Sequence, residues 1–465
     1  MDYITSFDIR LEKTIYYPGE LISGCVILDN CKDIEIQNIF VALRGKAVAY
    51  LKTIRGNDKK IVSDYQYLLN YDQIVFGKEY EIDERKESLL KIDRKNSTNI
   101  QSKSESQLTT TILPKGSHIF DFSFNLKKEN LPCSLETKHC TIRYYIKVII
   151  NISRNTSPQG IKYITIIGPQ LDCMEEKYMS SITSQDHRLK CLRFCQRGSI
   201  GLRMNLRRCA YVGGESLWLR ADIENWQHFV VFLKIRLYQN VEIRVDKRNY
   251  CEQKLIQSLA MEYRSNGIPE SSRYNFDSTK EFPIKIPVLP PTMIGTCRLV
   301  QIYYTLKVCL EDENQKEDLL LDFPIVIGTI PYRYPPSMQG TISYDFCTPF
   351  VEGGKYISPE FKLIEDSNDE HKIFNRESTI LTFNIDENEI PKGSCLEGNM
   401  EDGQESECDY VLYRPVYVRY NEKDAVNKAK NKVNCSLDDL PSIIPIAKAQ
   451  QELIKKEQKI INTKL

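Results

Sequence analysis

Residues 15–28 read IYYPGELISGCVIL, and residues 209–223 read CAYVGGESLWLRADI. Each run carries a tyrosine, a tight turn closing on Gly-Glu, and then alternating apolar residues. In the first run Pro18 fixes φ and Gly19 permits a positive φ, which suits two corners of a turn between strands. Past it, Ile22, Gly24, Val26 and Leu28 share one face of a strand, and Leu21, Ser23, Cys25 and Ile27 share the other. In the second run Gly213-Gly214 occupies the same corners, and Leu217, Leu219, Ala221 and Ile223 form one face. Tyr16 and Tyr211 stand 195 residues apart. That spacing is the size of a domain rather than of a solenoid repeat, so the two runs predict two similar β-domains in tandem.

The 465 residues suit two or three domains. Lys and Arg together number 63, as do Asp and Glu. This balance argues against a global basic face for nucleic acid. The fifteen cysteines follow no paired spacing, and the first residues, MDYITSFDIRLEK, have no apolar signal core. The expectation is a cytoplasmic protein with free thiols packed as small hydrophobes. Cys191 and Cys195 lack a second close pair or a histidine at zinc spacing, so no metal is expected.

Period-two alternation continues along the chain. Phe7, Ile9 and Leu11 alternate, then Ile39, Val41 and Leu43. TIRYYIKVIINI (141–152) sets Ile142, Tyr144, Ile146, Val148 and Ile150 against Arg143, Tyr145 and Lys147. Residues 52–110 are rich in Lys, Asp, Glu, Asn and Ser and read as a polar insertion; within them Tyr65 to Tyr71 suit an edge strand or a short helical turn. The expected organisation is a first β-sandwich over 5–168, a connector over 169–190 and a second sandwich over 191–331. A largely disordered, flexible tail follows over 332–465. Near its end Ile446, Leu453 and Ile460 recur every seven residues, which predicts a terminal helix over 444–463.

Five stretches in order carry a family likeness. Phe7-Asp8 with YYPGELISGCVIL, LPKGSHIFDFSFNL (113–126) and LPCSLETKHCTIRYYIKVII (131–150) lie in the first half. FCQRGSIGLRMNLRRCAYVGGESLWLRADIEN (194–225) and IPVLPPTMIGTCRLVQIYYTLKV (286–308), with FPIVIGTIP (323–331), lie in the second. Together they resemble the arrestin domain-containing proteins, or α-arrestins, over residues 5–332. The resemblance implies an all-β chain of two tandem immunoglobulin-like arrestin β-sandwich domains followed by a tail. It also implies a non-enzymatic trafficking adaptor, peripheral to plasma membrane or endosomes, that binds membrane-protein cargo tails and links them to endocytic or ubiquitin-ligase machinery. A structural subunit of an endosomal sorting coat, similar to the arrestin-fold subunit of retromer, is the alternative.

In such proteins the usual handle for a Nedd4-type ubiquitin ligase is Pro-Pro-x-Tyr, docked as an extended polyproline segment. This chain departs from it. Pro335-Pro336-Ser337 is followed by Met338, and Arg414-Pro415-Val416-Tyr417 keeps the final Pro-x-Tyr without the first proline. Pro335, Pro336, Arg414, Pro415 and Tyr417 are the expected tail-docking residues. Arg143 and Lys147, with Arg203, Arg207 and Arg208, are the expected contacts for acidic or phosphorylated cargo, because Arg forks hold phosphate oxygens in two bonds. No cofactor and no catalytic residue is expected. His139 and Cys140 are neighbours on a strand and point to opposite faces, and there is no phosphate loop, serine elbow or HExxH helix.

Overall fold

The structure, a computed structural model, describes residues 4–55, 58–77, 111–128, 130–137, 139–152, 159–188, 198–247, 250–333, 340–347, 355–356, 410–411 and 414–421. The first lobe contains β1 (Ile4–Leu11), β2 (Ile15–Tyr16), β3 (Leu21–Asn30), β4 (Ile34–Arg55), β5 (Asp58–Gly77), β6 (Thr111–Leu113), β7 (Gly116–Asn125), β8 (Leu135–Glu136), β9 (Cys140–Ile152) and β10 (Gln159–Ile166). One sheet runs β1-β3-β7; the other runs β2-β10-β9-β4-β5, with β6 on β4 and β8 on β9. A single helical turn, α1 (Glu176–Met179), leads into the second lobe. That lobe contains β11 (Ile182–Arg188), β12 (Ser199–Leu206), β13 (Ala210–Tyr211), β14 (Leu219–Trp226), β15 (Val231–Lys247), β16 (Tyr250–Arg264), β17 (Ser272–Asp277), β18 (Val300–Asp312) and β19 (Glu317–Ile327). Its sheets run β11-β12-β14-β17 and β13-β19-β18-β15-β16.

The alternation in the sequence is the alternation of burial. On β9, Ile142, Tyr144, Ile146, Val148 and Ile150 are all fully buried, while Arg143, Tyr145 and Lys147 are half-buried on the outer face. Leu217, Leu219, Ala221 and Ile223 are buried in the second lobe. A sheet with one packed and one solvated face produces this pattern.

The repeat is structural in detail. β2 pairs in parallel with the end of β10, and β13 pairs in parallel with the end of β19. Gly19 has φ +91° and Gly214 φ +90°. In each turn the glutamate caps the same backbone amide: Tyr17 N donates to Glu20 Oε2 and Val212 N to Glu215 Oε2, both at 2.8 Å. A second repeated device lies further on. Tyr144 Oη donates to the Pro132 carbonyl at 2.8 Å, as Tyr304 Oη does to the Pro290 carbonyl at 2.6 Å. The hydroxyls of Ser134 and Thr292 accept from Ile166 N and Ile327 N, both at 2.9 Å. Both lobes therefore anchor a proline corner to a central-strand tyrosine and to the last strand of the sheet.

Two expectations are corrected, and the expectation for the tail is refined. The polar stretch expected as an insertion from residue 52 supplies the end of β4 and all of β5, which pair antiparallel along their length. An edge strand with a solvated face tolerates Lys, Asp and Tyr, so composition there does not mean loop. Residues 78–110 lie outside the described residues. The expected connector contains β11, an edge strand paired with β12. The expected tail returns to the body: β20 (Thr341–Phe346) pairs antiparallel with β23 (Val416–Asn421), and β21 (Lys355–Tyr356) pairs in parallel with β22 (Tyr410–Val411). The two lobes and these four strands form one compact unit. The expected terminal helix over 444–463 lies outside the described residues.

Candidate functional site: the junction between the lobes

The junction is built from the two repeated devices. The proline corner of the first lobe meets a loop of the second through sulfur, with Cys133 Sγ 3.4 Å from Met293 Sδ, both side chains buried. Behind it, the Thr329 hydroxyl donates to the Pro169 carbonyl at 3.0 Å and accepts from Leu171 N at 2.9 Å. Burial makes the Cys133 and Cys173 thiols reluctant acids and pushes both well above the ordinary thiol range. Both side chains pack within the buried core.

A polar latch closes the outer side. Arg298 Nη1 and Nη2 donate to Asp64 Oδ2 and Oδ1 at 2.6 and 3.1 Å, and Nη2 also donates to the Tyr65 carbonyl at 2.8 Å. Arg298 N donates to Gln66 Oε1 at 3.0 Å. Burial works to raise the Asp64 carboxyl, but the Arg298 fork and the amides of Tyr65 and Asp246 outweigh it and hold the group below its usual range. Beside the latch Tyr65 and Tyr67 stand exposed and edge to face, with the Lys46 ammonium over both rings. None of these residues was expected as functional. The signal was present in DYQYLLNY (64–71), whose tyrosines favour strand over loop.

The tail strands cross the junction. Tyr417 Oη donates to the Ser134 carbonyl at 3.2 Å, and Tyr420 N donates to the Gly213 carbonyl at 2.8 Å. Tyr17 and Tyr344 bring their hydroxyls to 3.2 Å. Val418 and Tyr420 complete an apolar cluster with Ile167, Cys173, Ala210 and Val212.

The expected tail-docking residues accordingly divide. Pro335 and Pro336 lie outside the described residues. Arg414 lies over the Phe346 ring and donates to the Cys347 carbonyl at 3.0 Å. Pro415 and Tyr417 are buried, the latter 1% exposed. The ring that would fill a partner's pocket fills one in its own chain. This corrects the expectation of an accessible handle at Arg414-Pro415-Val416-Tyr417.

The expected anion contacts do not converge. Arg143 forks onto Glu136, whose carboxylate burial itself pushes up. Arg208 is 4% exposed, paired with Glu215 at 3.2 Å and sandwiched by the Tyr211 and Tyr332 rings. Both arginines serve the fold, because a charge this far from water needs its partner. Arg207 is exposed and lies over the Trp218 ring. Lys147, on the large sheet of the first lobe, and Arg203, on the four-stranded sheet of the second, make no ion pair among the described residues. Among those residues no group of three His, Cys, Asp or Glu could hold a metal, and no helix is long and apolar enough to cross a membrane.

Two family models match the chain in the order the repeat demands. The N-terminal domain of arrestin (or S-antigen) covers residues 5–172, and the arrestin C-terminal domain covers residues 196–332. Between them they take in more than half of the chain. It belongs to the arrestin domain-containing, or α-arrestin, family. The human arrestin domain-containing protein 4 is 25% identical over 235 residues, covering 50% of this chain and 54% of that protein. The mouse protein of the same name is 26% identical over 247 residues, with 51% and 56% covered. Arrestin domain-containing protein 17 of Caenorhabditis elegans is 24% identical over 319 residues, 68% of each chain. The matched part spans about half the length of the two mammalian relatives. The C-terminal family match stops at residue 332, whereas the folded body of this arrestin domain-containing chain includes strands up to Asn421.

Proposed function

We propose that this α-arrestin is a non-catalytic trafficking adaptor that binds membrane-protein cargo on its sandwiches and links it to endocytic or ubiquitin-ligase machinery. It works in the cytoplasm, at the periphery of plasma membrane or endosomes. The observation that carries the reading is the fold itself: two arrestin lobes joined by the Asp64–Arg298 ion pair in one compact unit with broad sheet faces. Lys147, Arg203 and Arg207 are the cations left to meet an acidic or phosphorylated cargo tail. Ligase contact, on this reading, runs through Pro335-Pro336 or through residues past Asn421, since Tyr417 is occupied.

That occupation also supports a second reading. A structural arrestin-fold subunit of an endosomal sorting coat, similar to retromer, would dispense with an exposed Pro-x-Tyr handle and bind through a sheet edge. Gel filtration of the native protein separates the two. An adaptor elutes mainly as a free chain and binds a Nedd4-type WW-domain tandem, a contact that Met338→Tyr strengthens. A coat subunit elutes in a fixed larger assembly and is indifferent to that substitution.

A further inference from the structure

Strand β16 (Tyr250–Arg264) is the last strand of the five-stranded sheet in the second lobe. One side pairs with β15; among the described residues its other side pairs with no strand. An open edge is a template for a further strand, and proteins usually blunt such edges with charges, prolines or bulges. Other edge strands here follow that rule. β1 carries Asp8 and Arg10, β11 carries Asp186 and Arg188, and β17 carries Arg273 and Asp277. The first part of β16 does not. Its solvent face presents Cys251, Gln253, Leu255, Gln257 and Leu259, all exposed and all uncharged. Leu255 is 55% exposed and Leu259 42%.

A bulge sets the length of this bare edge. The register with β15 is unbroken from Lys247↔Tyr250 to Tyr238↔Leu259, and then slips to Leu237↔Met261, which leaves Ala260 without an opposite residue. Regular pairing ends at such a residue, because the strand bends and its faces change over. With Tyr250 left to the hairpin turn, the straight run is 251–259, and its middle is Leu255. A second copy of the run, laid antiparallel about a two-fold axis at Leu255, meets a match at every position. On the solvent face Leu255 meets Leu255, Gln253 meets Gln257, and Cys251 meets Leu259. On the other face Lys254 meets Ile256 and Glu252 meets Ser258. No like charges are opposed, and both exposed leucines are covered. The glutamines are already held in line: Gln257 Nε2 donates to Asn240 Oδ1 at 2.9 Å, and Gln253 Nε2 donates to Glu242. The run is its own complement.

We propose that β16 is a self-association edge: two copies of this chain pair antiparallel through residues 251–259, with the two-fold axis at Leu255. The five-stranded sheets of the two second lobes then run on as one sheet. An interface of this kind uses the same patch on both copies and closes on itself, so it gives a dimer and not a fibre. A single strand pair is a small contact, so the dimer forms at micromolar concentration and comes apart on dilution. The pairing is independent of the adaptor and coat readings, since neither calls for a second copy of this chain.

Sedimentation velocity of the full-length protein over a concentration series tests the pairing. The mean mass rises from that of one 54.1 kDa chain toward twice that value. Leu255→Lys brings two ammonium groups together at the axis and weakens the dimer about tenfold or more. Cysteine cross-linking in a Cys251→Ser background reads the register, with oxidised glutathione as the oxidant and the Cys251→Ser parent as the baseline. Leu255→Cys forms an intermolecular disulfide, because directly opposed Cα atoms lie within disulfide reach. Gln257→Cys stays at the baseline, because its two copies stand about 13 Å apart along the strands. Should Leu255→Lys fail to fold, the comparison of the two cysteine variants decides. A chain that keeps one mass at every concentration overturns the proposal and leaves the edge to a strand of a different polypeptide. A dimer that Leu255→Lys leaves equally tight also overturns it, as does cross-linking through Gln257→Cys as readily as through Leu255→Cys.

Discussion

The phenolic hydroxyl of Tyr417 donates to the carbonyl of Ser134, 283 residues earlier in the chain, with the ring fully buried between them. The contact joins a strand beyond both family domains to the proline corner of the first lobe. It accounts for a tyrosine at the Pro-x-Tyr spacing in a chain that lacks Pro-Pro-x-Tyr: the side chain is a core residue. Tyr417→Phe should cost about 1 kcal/mol, one buried hydrogen bond. Tyr417→Ala should cost about 3 kcal/mol or more, because it leaves a cavity between the lobes. Urea denaturation of the two variants measures the difference; equal and negligible losses would mean that the ring does not pack there.

The two turn glutamates make the same hydrogen bond in different surroundings. Glu20 pairs with Lys13 at a half-exposed site, while Glu215 pairs with Arg208 where both side chains are 5% exposed or less. Glu20→Ala should therefore cost about 1 kcal/mol, the value of a cap and a solvated pair. Glu215→Ala should cost about 3–5 kcal/mol, since it strands a buried guanidinium. Thermal unfolding of the matched pair tests the asymmetry.

The Asp64–Arg298 latch carries a pH signature. The folded-state carboxyl titrates below its ordinary value of 3.8. A group depressed in this way contributes stability at pH above its unfolded value and loses it as pH falls through its folded value. The latch is therefore intact at neutral pH and fails only below about pH 3.8. Small-angle scattering on acidification should show the lobes loosening in that window. Asp64→Asn should remove this acid step while leaving each sandwich folded.

Gly214 needs its positive φ for the turn and its missing Cβ for the strand. Gly214→Ala should destabilise the chain by about 1–3 kcal/mol, a left-handed penalty with a steric clash added. Gly19→Ala meets a different neighbour, the Lys128 side chain, which can move aside. The second-lobe variant should lose more, and only it should speed hydrogen exchange in β23.

The lobes were legible in the sequence because a solvated sheet writes its period into the side chains. Ile142 to Ile150 alternate in the sequence and in burial alike, and the Tyr-to-Gly-Glu runs marked both domain starts. β5 was not legible as a full strand, since an edge strand beside solvent carries polar residues that also mark loops. The proline-corner repeat, Leu131-Pro132-Cys133-Ser134 against Leu289-Pro290-Pro291-Thr292, lay in view but needed the Tyr144 and Tyr304 hydroxyl bonds to show that it was one device. Arg143 and Arg208 read as free cations because the sequence displays a charge but not the carboxylate that a fold brings beneath it. β23 was the least legible. Six residues after a long polar stretch carry no local sign of the groove they fill, and their Pro-x-Tyr invited another reading.

Amide hydrogen exchange of the full-length protein, followed in residues 416–421, tests the central claim most directly. The account predicts protection comparable to that of β9 and β18, because the strand bonds to Gly213 and its tyrosines are buried at the junction. Exchange in 416–421 at the rate of an unstructured peptide would contradict it, and would mean that Tyr417 is not held in the junction.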